Sequence, residues 1–140
     1  AKRCCDAGIQ HIDVAGAGGT NWAAVEAARI NDVAKAELAN QFSDWGIPTA
    51  LAVQQVRKSC PEASIIASGG IKTGIDAAKA IRIGADLVGQ AAGLLHAANQ
   101  SPEALIDHFE VMIAALRICC FCTGSKDLRG LKSAPIEIHS

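Results

Sequence analysis

Ser64-Ile65-Ile66-Ala67-Ser68-Gly69-Gly70-Ile71-Lys72-Thr73-Gly74-Ile75-Asp76 holds a strand, a glycine loop and a helix start in one uninterrupted run. The apolar part has no polar alternation, which fits a strand buried on both faces, as in parallel sheets. Thr73 and Asp76 have the spacing of a capping box, in which the Thr73 hydroxyl accepts a free backbone N–H and Asp76 reaches back. Gly84 stands where a C-cap glycine belongs, so a helix is expected over residues 75–83.

The same order recurs on both sides. Upstream, the run from Ile9 to Val14 leads into Ala15-Gly16-Ala17-Gly18-Gly19-Thr20 and an Ala-rich segment from Trp22. Downstream, Asp86-Leu87-Val88 leads into Gly89-Gln90-Ala91-Ala92-Gly93 and a further helix. Repeated strand, loop and helix predict an α/β fold with a parallel sheet.

Other boundaries are equally local. Pro48 suits the first turn of a helix running to about Ser59, with Trp45 anchoring the turn before it and Pro61-Glu62 returning the chain to the next strand. Ser101-Pro102-Glu103 supplies an N-cap, a first-turn proline and an acid at the positive end of the dipole. Leu105, Phe109, Met112 and Leu116 then recur at helical spacing and are expected as its buried stripe. Ser125 is read as the N-cap of a last helix before Leu128.

The 140 residues carry 13 Lys+Arg against 14 Asp+Glu and are 50% hydrophobic, the composition of a single folded unit over residues 1–140. A net charge of -1 offers no basic excess for nucleic acid. No apolar run approaches the roughly 20 residues that span a membrane. The opening Ala1-Lys2-Arg3-Cys4-Cys5-Asp6 is charged but lacks the apolar stretch of a signal peptide, and it does not begin with Met, so a trimmed or incomplete chain is expected.

Of Cys4, Cys5, Cys60, Cys119, Cys120 and Cys122, only Cys119 and Cys122 stand at C-x-x-C spacing, with no second such pair and no closely spaced His pair to complete a ligand set, so no metal site is expected. They read as reduced, mostly buried thiols of a cytoplasmic protein, with Cys119-Cys120-Phe121-Cys122 the run to test for reactivity. His11, His96, His108 and His139 have no spacing that suits a metal or a nucleophile–base pair. Asp13, ending its strand, either faces a site or caps its own loop.

A glycine loop between a strand and a helix N-terminus offers unpaired N–H groups and the positive end of a dipole, which together attract an anion. Two such loops, Gly69-Gly70-Ile71 and Gly89-Gln90-Ala91-Ala92, lie one helix and one strand apart, the separation at which the last two loops of a β/α barrel hold one phosphate. Gly16-Ala17-Gly18-Gly19-Thr20 begins like G-x-G-x-x-G, but Ala24 falls out of register for the third glycine. No Gly-Lys-Ser/Thr closes a P-loop, and no G-x-S-x-G elbow is present.

Four stretches together resemble the type 2 isopentenyl-diphosphate isomerases. They are Ile12-Asp13-Val14-Ala15-Gly16-Ala17-Gly18-Gly19-Thr20-Asn21-Trp22, Asp44-Trp45-Gly46-Ile47-Pro48-Thr49-Ala50, residues 65–74 of the opening run, and Cys122-Thr123-Gly124-Ser125. The resemblance runs through nearly the whole chain but covers only the last three β/α units of that family's (β/α)8 TIM barrel, a fold of about 250 residues. It implies a cytoplasmic, homo-oligomeric flavoprotein of isoprenoid biosynthesis. Such an enzyme interconverts isopentenyl and dimethylallyl diphosphate with FMN, NADPH to reduce the flavin, and magnesium on the diphosphate.

By the same resemblance, Gly70, Ile71, Lys72, Ala91 and Ala92 hold the FMN phosphate through backbone N–H groups, and Thr20 bonds the flavin nucleotide. Lys72 stands where many family members have Arg, keeping charge but losing the bidentate fork. The family's substrate-facing His, Asn and Gln, its magnesium Glu and its flavin-facing Lys belong to earlier strands, so no catalytic residue is assigned here and the isolated chain is expected to be inactive.

Two other readings compete. FMN-dependent 2-hydroxy-acid dehydrogenases and oxidases share the barrel, but they carry a His and an Arg where this chain has Gly18-Gly19-Thr20, and Gly-Arg where it has Gly89-Gln90. The other is a non-catalytic phosphate- or flavin-binding barrel fragment, whose open strand edges would drive self-association.

Overall fold

The computed structural model describes residues 1–137, so His139 lies outside the described residues. Three parallel strands, β1 (His11–Val14), β2 (Ser64–Ala67) and β3 (Leu87–Val88), form one sheet in the order β1-β2-β3. Ile12 pairs with Ile65 and Ala67 with Val88, so consecutive units are spatial neighbours. The α/β reading and its strand–loop–helix order hold. The first strand opens at His11 rather than Ile9 because α1 (Lys2–Asp6) and a turn through Gly8, with φ +97, occupy the approach.

Between β1 and β2 run α2 (Trp22–Arg29), α3 (Val33–Asn40) and α4 (Thr49–Ser59). Asn21 caps α2 by accepting from the Ala24 N–H, and Asp32 caps α3 by accepting from Ala34 and Lys35. Pro48 is the N-cap of α4 rather than its first residue. Trp45 does not anchor the turn as expected. It is 80% exposed and its ring leans on Phe42 at 5.5 Å, because the α2–α3 segment brings little else over it.

After β2 comes α5 (Gly74–Arg82), with the capping box of Thr73 and Asp76 in place and Gly84 at φ +128 just past its end. After β3 come α6 (Leu95–Gln100), the long α7 (Pro102–Cys122) and the short α8 (Leu128–Leu131). Ser101 caps α7 by accepting from Ala104. The last helix is capped by Asp127, which accepts from Gly130, and not by Ser125, whose hydroxyl pairs with Thr123.

Core packing explains these placements. Val53 and Ile65 are fully buried, with Val14, Ala67, Ile71 and Ala80 closing around them where α4 and α5 meet the sheet. A second cluster joins Ala78 and Ile81 of α5 to Leu131 and Ala134, with Leu116 and Cys119 of α7 against it. Leu105, Met112 and Leu116 are half-buried, but Phe109 is 42% exposed, so the expected stripe turns away at that residue. It runs instead through His108, Met112, Ala115, Leu116 and Cys119, the side of α7 that faces α5 and the β3 loop.

All six thiols are free, as expected, but only Cys60 is buried. Cys4 and Cys122 are exposed, because α1 and the end of α7 lie at the margin of the fold. The Cys5 thiol is pushed up, chiefly by the neighbouring Cys60 thiol.

Candidate functional site

The three strand-to-helix loops meet above the C-terminal ends of the strands. Gly70 has φ +87 and an added Cβ would stand 2.6 Å from the Gly18 carbonyl, so the β1 and β2 loops touch backbone to backbone only because both positions are glycine. Thr49, at the start of α4, braces this contact. Its hydroxyl lies 3.0 Å from the Ala15 carbonyl and 2.7 Å from that of Gly69, sharing one proton between two acceptors.

Below the loops is a recess of about 620 Å³ whose walls include Thr20, Gly70, Ile71, Lys72, Ala91 and Ala92. Every residue singled out as a candidate cofactor contact therefore lines one cavity. Asp13 faces it too, from the end of β1, and accepts from the Ser68 hydroxyl at 2.6 Å. A second recess, among Trp22, Phe42, Trp45 and Pro48, adjoins it at Thr20.

Hydrogen bonding distinguishes the candidates. Among the described residues, no acceptor takes the backbone N–H of Gly70, Ile71 or Ala91. Ala92 opens a 3-10 turn over Ala92–Leu94, so its N–H also points out of a helix start. Lys72 differs. Its N–H is donated to Asp76 Oδ2 at 3.1 Å, beside the Thr73 N–H at 2.9 Å, so what it offers the recess is its side chain.

Partial burial raises the Asp76 carboxyl, but the N–H of Lys72 and the hydroxyl and N–H of Thr73 outweigh it and hold the group below its usual range. The cap therefore stays ionised near neutral pH and keeps the α5 terminus ordered beneath the loop.

Sequence reasoning missed Thr49, whose two carbonyl partners are 34 and 20 residues away, and the side chains of Gln90 and His108, which meet at 2.9 Å. The signal available for Gln90 was its position inside a glycine loop. His96 bonds Gln100 at 3.0 Å instead, away from the recess. Among the described residues, no three His, Cys, Asp or Glu side chains converge as a metal site.

Open donors, a helix start and close glycine contacts thus lie together at one recess, an arrangement whose chemistry suits an anion. A family model described as FMN-dependent dehydrogenase matches residues 1–137. The chain belongs to the FMN-dependent dehydrogenase family. Within it, the chain is 63% identical over 134 residues to the isopentenyl-diphosphate delta-isomerase of Stutzerimonas stutzeri (strain A1501), matching 96% of this chain and 39% of that protein. It is 57% identical over 136 residues to the isomerase of Xanthobacter autotrophicus (strain ATCC BAA-1158 / Py2), 97% of this chain and 39% of the relative. Against the isomerase of Pseudescherichia vulneris it is 55% identical over 137 residues, 98% and 40% of the two lengths. The resemblance drawn from the motifs is borne out by these relatives, of whose length the chain spans about two fifths.

Proposed function

We propose that the chain supplies the phosphate grip of an FMN-binding (β/α)8 barrel, as the last three β/α units of an isopentenyl-diphosphate delta-isomerase. One observation carries this reading: Gly70, Ile71 and Ala91, whose backbone N–H groups have no acceptor among the described residues, line a single recess. The family description and the relatives' names support the flavin and the reaction. The whole protein would interconvert isopentenyl and dimethylallyl diphosphate in the cytoplasm, as a homo-oligomer, with NADPH and magnesium as its further requirements. No residue of this chain is assigned to either of those two.

Reduced FMN, when bound, supplies the acid/base function that moves a proton across the allyl unit. The residues here orient it. Gly70, Ile71, Ala91 and Ala92 would donate backbone N–H groups to its phosphate, and the Lys72 ammonium would add a positive charge beside them. Thr20 would hydrogen-bond the nucleotide from the β1 loop. A hydroxy-acid oxidation finds no support at Gly18-Gly19-Thr20, which offers neither the base nor the cation that reaction needs.

Titrating the purified chain into FMN and following flavin fluorescence tests the reading. Gly70→Asp places a carboxylate at the site but also strains a residue at φ +87. Ala91→Asp is the cleaner control, since Ala91 is exposed at φ -130. Saturable quenching in the parent, weakened at least tenfold in Ala91→Asp, is the expected outcome, from one repulsive charge of about 1.4 kcal/mol or more. Absence of quenching in the parent counts against it.

A further inference from the structure

Gln90 stands two residues past Val88, the end of β3, and sends its side chain back to the β2 loop. Its Nε2 donates to the Lys72 carbonyl at 3.1 Å, and its Oε1 lies 2.9 Å from His108 Nε2. A carbonyl only accepts, so the amide nitrogen must face Lys72 and the amide oxygen His108. His108 Nε2 is thereby the donor of this bond, on the half-buried face of α7. Gly93 leaves the space this needs, because a Cβ there would stand 3.0 Å from Gln90 Cδ.

The consequence falls on the β2 loop. The peptide between Lys72 and Thr73 is held at both ends, its carbonyl by Gln90 and its N–H by Asp76 at 2.9 Å. Asp76 also takes the Lys72 N–H at 3.1 Å. Immediately before these anchored groups, the N–H groups of Gly70 and Ile71 are left open. Without Gln90 the Lys72 carbonyl loses its partner, and only the Asp76 end still holds this peptide.

We infer that Gln90, locked by His108, is a positioning residue for the phosphate site, tying the β3 loop to the β2 loop so that their open N–H groups face one anion. This rests on the phosphate-site reading above. The test compares dissociation constants for FMN and for riboflavin, which lacks the phosphate, in the full chain and in Gln90→Ala, His108→Ala and His108→Gln. Thermal midpoints are recorded alongside.

The expected result is a fall of about tenfold in FMN affinity for Gln90→Ala and His108→Ala, as for one lost hydrogen bond in a charged site. Riboflavin affinity stays unchanged, and His108→Gln, which keeps an N–H donor, recovers part of the loss. If the parent prefers FMN to riboflavin and both alanine variants keep that preference, the clasp is overturned while the phosphate site stands. Equal losses for both ligands, tracking a lowered midpoint, mean that the pair only supports the fold and also overturn it. A parent that binds FMN no better than riboflavin overturns the phosphate site and the clasp together.

Discussion

Asp86, at the entrance to β3, gathers three donors on one carboxylate. Oδ2 accepts from Arg57 Nη2 at 2.5 Å and from the Ile65 N–H at 2.9 Å, and Oδ1 accepts from Lys132. Arg57 in turn donates to the carbonyls of Gly84, Pro61 and Ala63, so a single ion pair fastens α4, the end of α5 and the start of β3. Partial burial raises the Asp86 carboxyl, yet the bonds from Lys132, Ile65 and Arg57 prevail and lower it to about 2. A depressed carboxylate contributes stability that is fully present above its unfolded value of 3.8 and is lost as the pH falls from there through about 2. With the side chain 30% exposed, that contribution is at most about 2 kcal/mol. Asp86→Asn is expected to lower unfolding free energy in urea at pH 7 by about 1–2 kcal/mol and to flatten the acid limb between pH 4 and 2. Unchanged stability at pH 7 would show that the pair is inert.

At the scale of elements, α5 and α7 approach through Gly74. A Cβ there would press on the Met112 carbonyl and stand 2.7 Å from the Ala115 side chain. Gly74→Ala is therefore expected to cost about 1–3 kcal/mol by overpacking, despite the better helix propensity of alanine. A thermal melt in which Gly74→Ala equals or exceeds the parent would contradict that packing. Local signals were the legible ones. The capping box of Thr73 and Asp76, the Ser101 cap and the unbroken apolar run of β2 were all readable because each is decided within a few residues. Phe109 and Trp45 misled because hydrophobicity does not say which neighbour arrives, and the side of α7 that meets α5 is set by tertiary packing. Ser125 lost the last cap to Asp127, which sits one residue before Leu128. In the candidate site, the glycine loops were legible. The loss of the Lys72 N–H to Asp76 was not, because it depends on how the cap folds back on its own loop.

At the scale of the molecule, β1 and β3 each have one sheet neighbour among the described residues, and Trp22, Trp45, Ile118 and Phe121 are each more than half exposed. Open parallel edges and bare apolar side chains seek partners. In a full barrel further strands would cover those edges, while the chain by itself is expected as a dimer or larger at micromolar concentration. Sizing with light scattering that reports a monomer would contradict this. The proposed phosphate site depends on the same architecture, since Gly70 and Ile71 follow β2 and Ala91 follows β3. Backbone amide spectra of the chain titrated with FMN test that claim most directly. The account requires the signals of Gly70, Ile71 and Ala91 to shift together with one shared saturation curve. Shifts confined to one loop, or to residues outside both, would contradict it.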